Sequence, residues 1–348
     1  GGALQVALLM VAVWWVWIFT SWITNWLDPE ALPIRLGLFV LMVAGLLLSS
    51  SIPQAFGERG LLFAGAYVFM QVGRTAYSLW AVRGEPLNMT RNFQRILLWL
   101  MFSGVFWITG GLLEGPQRLA CWGLALAIEV LSPSLYFWVP GLGRSTLEDW
   151  NVEGNHMAER CALFVIIALG ESLLVTGATF AELATSAEGV LAFVVAVLGS
   201  IAMWWVYFDS GAERAHHRIA HSSDPGRQAR IAYTYLHVLI VAGIIVSAVA
   251  DELVLVHPQH ASQAAVLVIV GGPWLFLLGC ALFKWVMNER PLPPLSHLAG
   301  LAALLLLLPA AWNQWFSALA LGSLTTLVML LVAAWETLAL RERAASRQ

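Results

Sequence analysis

Eleven apolar stretches, each close to the length that crosses a bilayer, follow one another along this chain with only short polar turns between most of them. A helix needs about 20 mostly apolar residues to span the hydrocarbon core. The candidate crossings are 3–27, 33–52, 60–82, 94–113, 118–139, 157–181, 189–208, 228–250, 263–287, 295–312 and 315–339. Backbone polar groups in lipid must be satisfied internally, so spans this numerous predict an all-α, polytopic transmembrane helical bundle. Composition agrees: 11% of residues are charged, against about 25% in ordinary soluble domains, too few to solvate a globular surface. The mean hydropathy is +0.76. A net charge of −3 without a basic block gives no indication of nucleic acid as a partner.

Threading the crossings in alternation sorts the basic residues. Of 18 Lys and Arg, all but Arg59, Arg118 and Arg74 fall on one face, among them Arg35, Arg83, Arg91, Arg144, Arg227, Arg290 and Arg341. Arg59 and Arg118 reach the other face, and Arg74 sits inside a segment. The positive-inside rule makes the crowded face cytoplasmic. The expected location is therefore the inner (plasma) membrane, multi-pass, with a cytoplasmic C-terminus. Two longer loops, 140–156 and 209–227, lie on the cytoplasmic side, and residues 312–315 must make a tight turn on the other.

The second half echoes the first. Val40–Ser49 recurs as Val238–Ser247 at an offset of 198, and Trp14-Trp15-Val16-Trp17 recurs as Trp204-Trp205-Val206-Tyr207 at 190. Gly73 answers Gly279 at 206 and Glu129 answers Glu336 at 207. Four matches in order, with slowly drifting offsets, predict two membrane repeats, 1–150 and 151–348. The second Trp-Trp helix is preceded by 157–181, whereas 3–27 has nothing before it. Two parallel six-helix repeats, related by an axis along the membrane normal, then require one further crossing ahead of residue 3.

Ionisable groups inside a bilayer are costly and mark function by default. The richest stretch runs from His156 through Glu159 and Arg160 to Gly170-Glu171-Ser172. At 100° per residue His156, Arg160 and Glu171 fall within about 60° of one another, with Glu171 about 16 Å deeper than Arg160. The functional reading is a polar track from the cytoplasm to a cation or proton site at Glu171. The alternative is a Glu171 that pairs with a basic or hydrogen-bonding residue and locks helices together. Arg74 and Glu129 are placed to neutralise each other across the first half, for structure or for transport. His237 lies on an otherwise apolar turn, where a satisfied core histidine is the plain reading. Trp14, Trp15, Trp204 and Trp205 either pack or line a pathway or lipid groove.

Other chemistry is thinly represented. Cys121, Cys161 and Cys280 stand singly in apolar segments, and without a CxxC pair they predict neither zinc nor disulfides. His216, His217 and His221, with Asp209, Glu213 and Asp224, share the 209–227 loop, but a metal needs converging, supported ligands. No metal, cofactor or catalytic residue is expected, and no nucleotide or hydrolase motif occurs.

The stretch His156-x-x-Glu159-Arg160, followed by Ile166-Ile167-Ala168-Leu169-Gly170-Glu171-Ser172, resembles the signature of the bacterial low temperature requirement protein A (LtrA) family. The Trp-Trp helices and the segment 229–252, with Tyr233, His237 and Gly243, are similar to it as well. The resemblance implies a polytopic bacterial membrane protein tied to cold adaptation, a family with no assigned reaction. Family members start with a helix carrying a Glu-Leu-Phe-Phe-Asp-like motif that this sequence lacks. A fold-level analogy extends to lysosomal-type potassium channels built of six-helix repeats. The expected activity is movement of a small solute or ion, coupled to protons, by a transporter or channel and not an enzyme. The rival expectations are a membrane-embedded enzyme acting on lipid, with His156 and Glu159 as acid and base, and a structural or sensory membrane protein. Expected partners are membrane lipids and the unknown solute or ion, and a homo-oligomer stays open.

Overall fold

The computed structural model describes residues 2–27, 30–84, 87–146, 154–183, 186–209, 228, 230–288 and 292–345. Within them the regular structure is helical, and the chain divides into two compact units, Gly1–Glu153 and Gly154–Gln348. The first contains α1 (Gly2–Trp26), α2 (Leu32–Ser51), α3 (Gly60–Val68), a π-helical turn Phe69–Gly73, α4 (Arg74–Ala81), α5 (Leu87–Leu112) and α6 (Gly115–Leu131). The second contains α7 (Gly154–Glu182), α8 (Ala187–Phe208), a π-helical turn Arg230–Leu236, α9 (His237–Val256), α10 (Gln263–Asn288), α11 (Leu295–Trp312) and α12 (Ala318–Ala345). Counting α3, its π turn and α4 as one rod, eleven rods stand where eleven apolar stretches were read. Nine helices among the described residues are long and apolar enough to cross a membrane.

Two boundaries differ from the hydropathy reading. Helix α5 begins at Leu87 instead of 94, because a helix need not stop where its apolar run does. Its polar first turns are anchored: Ser145 Oγ donates to Asn92 Oδ1 at 2.6 Å and Arg95 Nε donates to the Leu142 carbonyl at 2.9 Å. Helix α6 ends at Leu131 and not at 139. Pro133 has no N–H to continue the ladder, and Tyr136 and Phe137 turn left-handed at φ of 54° and 46°. The Phe137 N–H then bonds the Ser132 carbonyl at 2.9 Å and the Tyr136 N–H bonds Pro133 at 3.1 Å, a Schellman-type stop. The tight turn at 312–315 closes in the same way. Gln314 stands at φ 60°, and the Trp315 N–H reaches the Ala310 carbonyl at 3.1 Å.

Lipid tails are as apolar as leucine, so packing and buried polar bonds hold such helices together. In the first unit Phe63, Tyr67, Trp107 and Trp122 form the centre, with Tyr67 and Trp107 rings 4.3 Å apart and Phe63 and Trp122 rings 5.2 Å apart. Arg118, which the sequence placed at the outer face, is buried and ties two turns together. Its Nη1 donates to the Ala55 and Gly57 carbonyls at 2.9 and 2.7 Å, and its Nε to Leu113 at 2.8 Å. Gly60 lies flat on that guanidinium; a Cβ there would stand 2.4 Å from Cζ. In the second unit α9 and α10 touch backbone to backbone. A Cβ on Gly243 would meet the Phe276 nitrogen at 2.3 Å, and one on Gly279 would meet Ile240 at 2.7 Å.

Candidate functional site

Each unit buries one carboxylate from its last helix among polar groups from its neighbours. In the first unit that residue is Glu129 of α6, 1% exposed. Tyr67 Oη and Gln71 Nε2 donate to its Oε2 at 2.6 and 3.0 Å, and Ser103 Oγ and Trp107 Nε1 donate to its Oε1 at 2.7 and 2.9 Å. A carboxylate has about four lone-pair sites, so four donors saturate it. The π turn supplies Gln71, α3 supplies Tyr67 and α5 supplies the other two. Arg74 does not pair with Glu129 directly, contrary to the simplest expectation. Its Nη2 bonds Gln71 Oε1, while Nη1 donates to the Val16 carbonyl at 3.0 Å and to Thr20 Oγ1 at 2.9 Å. The Gln71 amide thus stands between the cation and the anion, accepting from one and donating to the other.

In the second unit the carboxylate is Glu336 of α12. Lys284 of α10 donates to its Oε2 at 2.7 Å and also to the Val206 carbonyl of α8 at 2.7 Å. His297 of α11, fully buried, brings Nε2 to 3.9 Å from the same Oε2. That nitrogen has no hydrogen-bond partner among the described residues, while Nδ1 meets Ser296 Oγ at 3.2 Å. Beside this group His237 of α9 is satisfied on both ring nitrogens. Nδ1 meets the Ala232 carbonyl at 2.8 Å, so it carries the proton, and Nε2 lies 2.9 Å from Tyr207 Oη as acceptor. His237 is the core histidine that its apolar surroundings suggested.

The α7 residues do not join either group. Glu159, Arg160 and Glu171 are exposed and His156 is half-buried. Ile167 and Leu174, one turn before and after Glu171, are 61% and 68% exposed, and Glu171 itself makes no hydrogen bond or ion pair among the described residues. The tryptophans separate by depth. Trp14 and Trp15 are buried against Trp17 and Phe19. Trp204 is 51% exposed, whereas Trp205 Nε1 donates to Thr337 Oγ1 at 3.0 Å, and Thr337 in turn bonds Asp209. Cys161 and Cys280 are buried free thiols and Cys121 is a half-buried one. His216, His217 and His221, with Glu213 and Asp224, lie outside the described residues, and among those described no three His, Cys, Asp or Glu side chains gather as for a metal.

Sequence reasoning passed over Gln71, Tyr67, Lys284 and His297. Lys284 and His297 carry a usable signal, being ionisable groups within apolar runs; sorting the basic residues by face counts Lys284 with the cytoplasmic ones and so hides its burial.

Set beside known proteins, residues 1–334 match the model of the family described as bacterial low temperature requirement A protein. The chain belongs to the LtrA family. It is 42% identical over 348 residues to a Rhizobium meliloti protein described as uncharacterized protein RA0937, covering 98% of this chain and 83% of that one. No solved structure matches. This LtrA chain is accordingly a membrane protein with many apolar helices. Both Glu129 and Glu336 lie within helices that pack by polar contacts, where hydropathy alone shows only interruptions.

Proposed function

We propose that this LtrA protein moves a small ion or solute across the membrane, coupled to protons, with Lys284, Glu336 and His297 as its exchange centre. One observation carries the reading: a single carboxylate oxygen faces two titratable nitrogens, at 2.7 and 3.9 Å, inside a bundle of apolar helices. A buried ion pair is expensive to maintain and is weak evidence for stability alone. Neutral donors do the locking work at Glu129, so a locking role does not call for the Lys284 charge. Protonating His297 sets a second cation against Lys284 for Glu336 and loosens that contact, which is what a coupled carrier requires. His156, Glu159, Arg160 and Glu171 are the proposed cytoplasmic approach along α7.

We also infer that the units are copies of one helical plan. Val16 and Val206, equivalent at the offset of 190, each offer a carbonyl to a buried base, Arg74 of α4 at 3.0 Å and Lys284 of α10 at 2.7 Å. Gly45 faces Met70 and Gly243 faces Phe276, residues that correspond at offsets of 198 and 206. The excess of basic residues supports a cytoplasmic C-terminus.

The test is proton and potassium flux in liposomes of phosphatidylethanolamine and phosphatidylglycerol with an internal pH dye. We expect protein-dependent flux that Glu336→Gln abolishes and Glu171→Gln slows. Wild-type liposomes no leakier than empty ones, or a Glu336→Gln variant with undiminished flux, would overturn the assignment.

A further inference from the structure

Within the first unit a cavity of about 550 Å³ lies between α1, α2 and the rod formed by α3, its π turn and α4. That is within the size of small-molecule sites generally. Its wall contains hydroxyls, but each is already donated to a backbone carbonyl. Thr20 bonds Val16, Thr24 bonds Ser21, Tyr77 bonds Pro33 and Ser78 bonds Arg74, at 2.8, 3.0, 2.7 and 2.9 Å. Arg74 also reaches the wall, with its two Nη atoms held by Val16, Thr20 and Gln71; the rest is hydrocarbon and aromatic ring, which suits an apolar chain better than a hydrated ion.

The wall is continuous with the outer surface of the unit. Leu36 and Val40 line the cavity and are each 54% exposed, on a helix that is apolar enough to span a bilayer and only 11% buried. In a membrane protein that surface meets lipid, so the cavity opens sideways into acyl chains. At its mouth, between the lining residues Ile34 and Leu36, Arg35 is exposed and commits one donor to the Glu30 carbonyl at 3.2 Å. The remaining guanidinium donors are those of a phosphate contact at the end of the crossing.

We propose that this cavity is a binding site for one acyl chain of an anionic membrane phospholipid whose phosphate rests on Arg35. The chain lies between α1, α2 and α4, alongside the π turn at Phe69–Gly73, whose Phe69 and Gly73 line the space. The site is independent of the proposed exchange centre, which belongs to the other unit.

The variant that fills the site is Gly73→Leu. Gly73 has ordinary helical angles, φ −61° and ψ −47°, and a Cβ there meets only the Phe69 ring, at 3.7 Å. The added side chain therefore projects into the cavity without backbone strain. The full chain, reconstituted in phosphatidylcholine vesicles carrying phosphatidylglycerol, is extracted in mild detergent, washed, and analysed by native mass spectrometry. Wild type should retain phosphatidylglycerol, and Gly73→Leu should lose it at an unchanged melting temperature. Arg35→Gln, on the exposed face, should reduce the preference for phosphatidylglycerol over phosphatidylcholine about fivefold. Wild type that retains no phospholipid, or retains free fatty acid in its place, overturns the proposal. So does a folded Gly73→Leu that keeps its lipid, or an Arg35→Gln with unaltered preference.

Discussion

Two helix pairs, one in each unit, carry glycines and use them differently. In the second unit α9 and α10 close on one another: Gly243 seats Phe276, Gly272 seats Ser247 and Gly279 seats Ile240, each nearer than any Cβ would allow. In the first unit Gly45 stands 3.6 Å from the tip of Met70, and Gly73 faces the cavity. A glycine permits close approach without enforcing it. A π turn at Phe69–Gly73 interrupts the rod beside the cavity, and α10 runs from Gln263 to Asn288 with no π turn. The polar centres differ in parallel. Neutral donors saturate Glu129, whereas Glu336 faces a lysine and a histidine. The first unit holds its carboxylate with neutral donors and leaves a cavity beside this helix pair, whereas the second sets its carboxylate against a lysine and closes the pair.

The largest expected effect tests the carboxylates. Lys284→Met removes the buried ammonium that lies 2.7 Å from Glu336 and should cost about 3–5 kcal/mol. Joining it to Glu336→Leu removes both charges and should recover most of that loss. In the first unit Gln71→Leu takes one of four donors from Glu129 and an acceptor from Arg74, for about 1–3 kcal/mol. Thermal unfolding of purified protein in one detergent measures all three. Equal costs for Lys284→Met and Gln71→Leu would erase the distinction between the centres.

Helix number and type were legible because hydropathy reports the one thing a spanning helix must have, an apolar exterior of sufficient length. Helix ends were less so. Helix α6 stops eight residues early through Pro133 and two left-handed aromatics, and no periodicity announces that Tyr136 and Phe137 will adopt such angles. The site was half legible. Glu129, Arg74 and His237 were singled out as intramembrane polar residues, and all three are buried and bonded. Gln71 was invisible because an uncharged amide barely dents hydropathy, although it joins Arg74 to Glu129. Glu171 stood out by sequence, yet it faces outward on α7, since spacing along one helix says which residues share a face and nothing of what that face meets.

The next effect tests the helix pairs, and here opposite signs are expected. Gly243→Ala forces a methyl against the Phe276 backbone, a 2.3 Å contact that no flexible side chain can relieve. Overpacking of that kind costs about 1–3 kcal/mol. Gly45→Ala meets only the end of Met70 and gains helix propensity of up to about 1 kcal/mol. Melting temperatures in one detergent should therefore move apart, down for the first and level or up for the second. A fall in both would mean that the first pair is also tightly closed.

The smallest effect asks how a saturated carboxylate responds to loss of a single donor. Ser103 is fully buried on α5 and donates to Glu129 Oε1, the oxygen that also receives Trp107 Nε1. Ser103→Ala removes little volume and strands no charge, and the other oxygen keeps both its donors. The cost should be about 1 kcal/mol, that of an ordinary hydrogen bond, read as a small drop in melting temperature. A group held by four neutral donors loses stability by increments, whereas one held against a lysine loses more in a single step. A Ser103→Ala penalty as large as that of Lys284→Met would show that Glu129 depends on each of its donors, and that the first unit is no better secured at its carboxylate than the second.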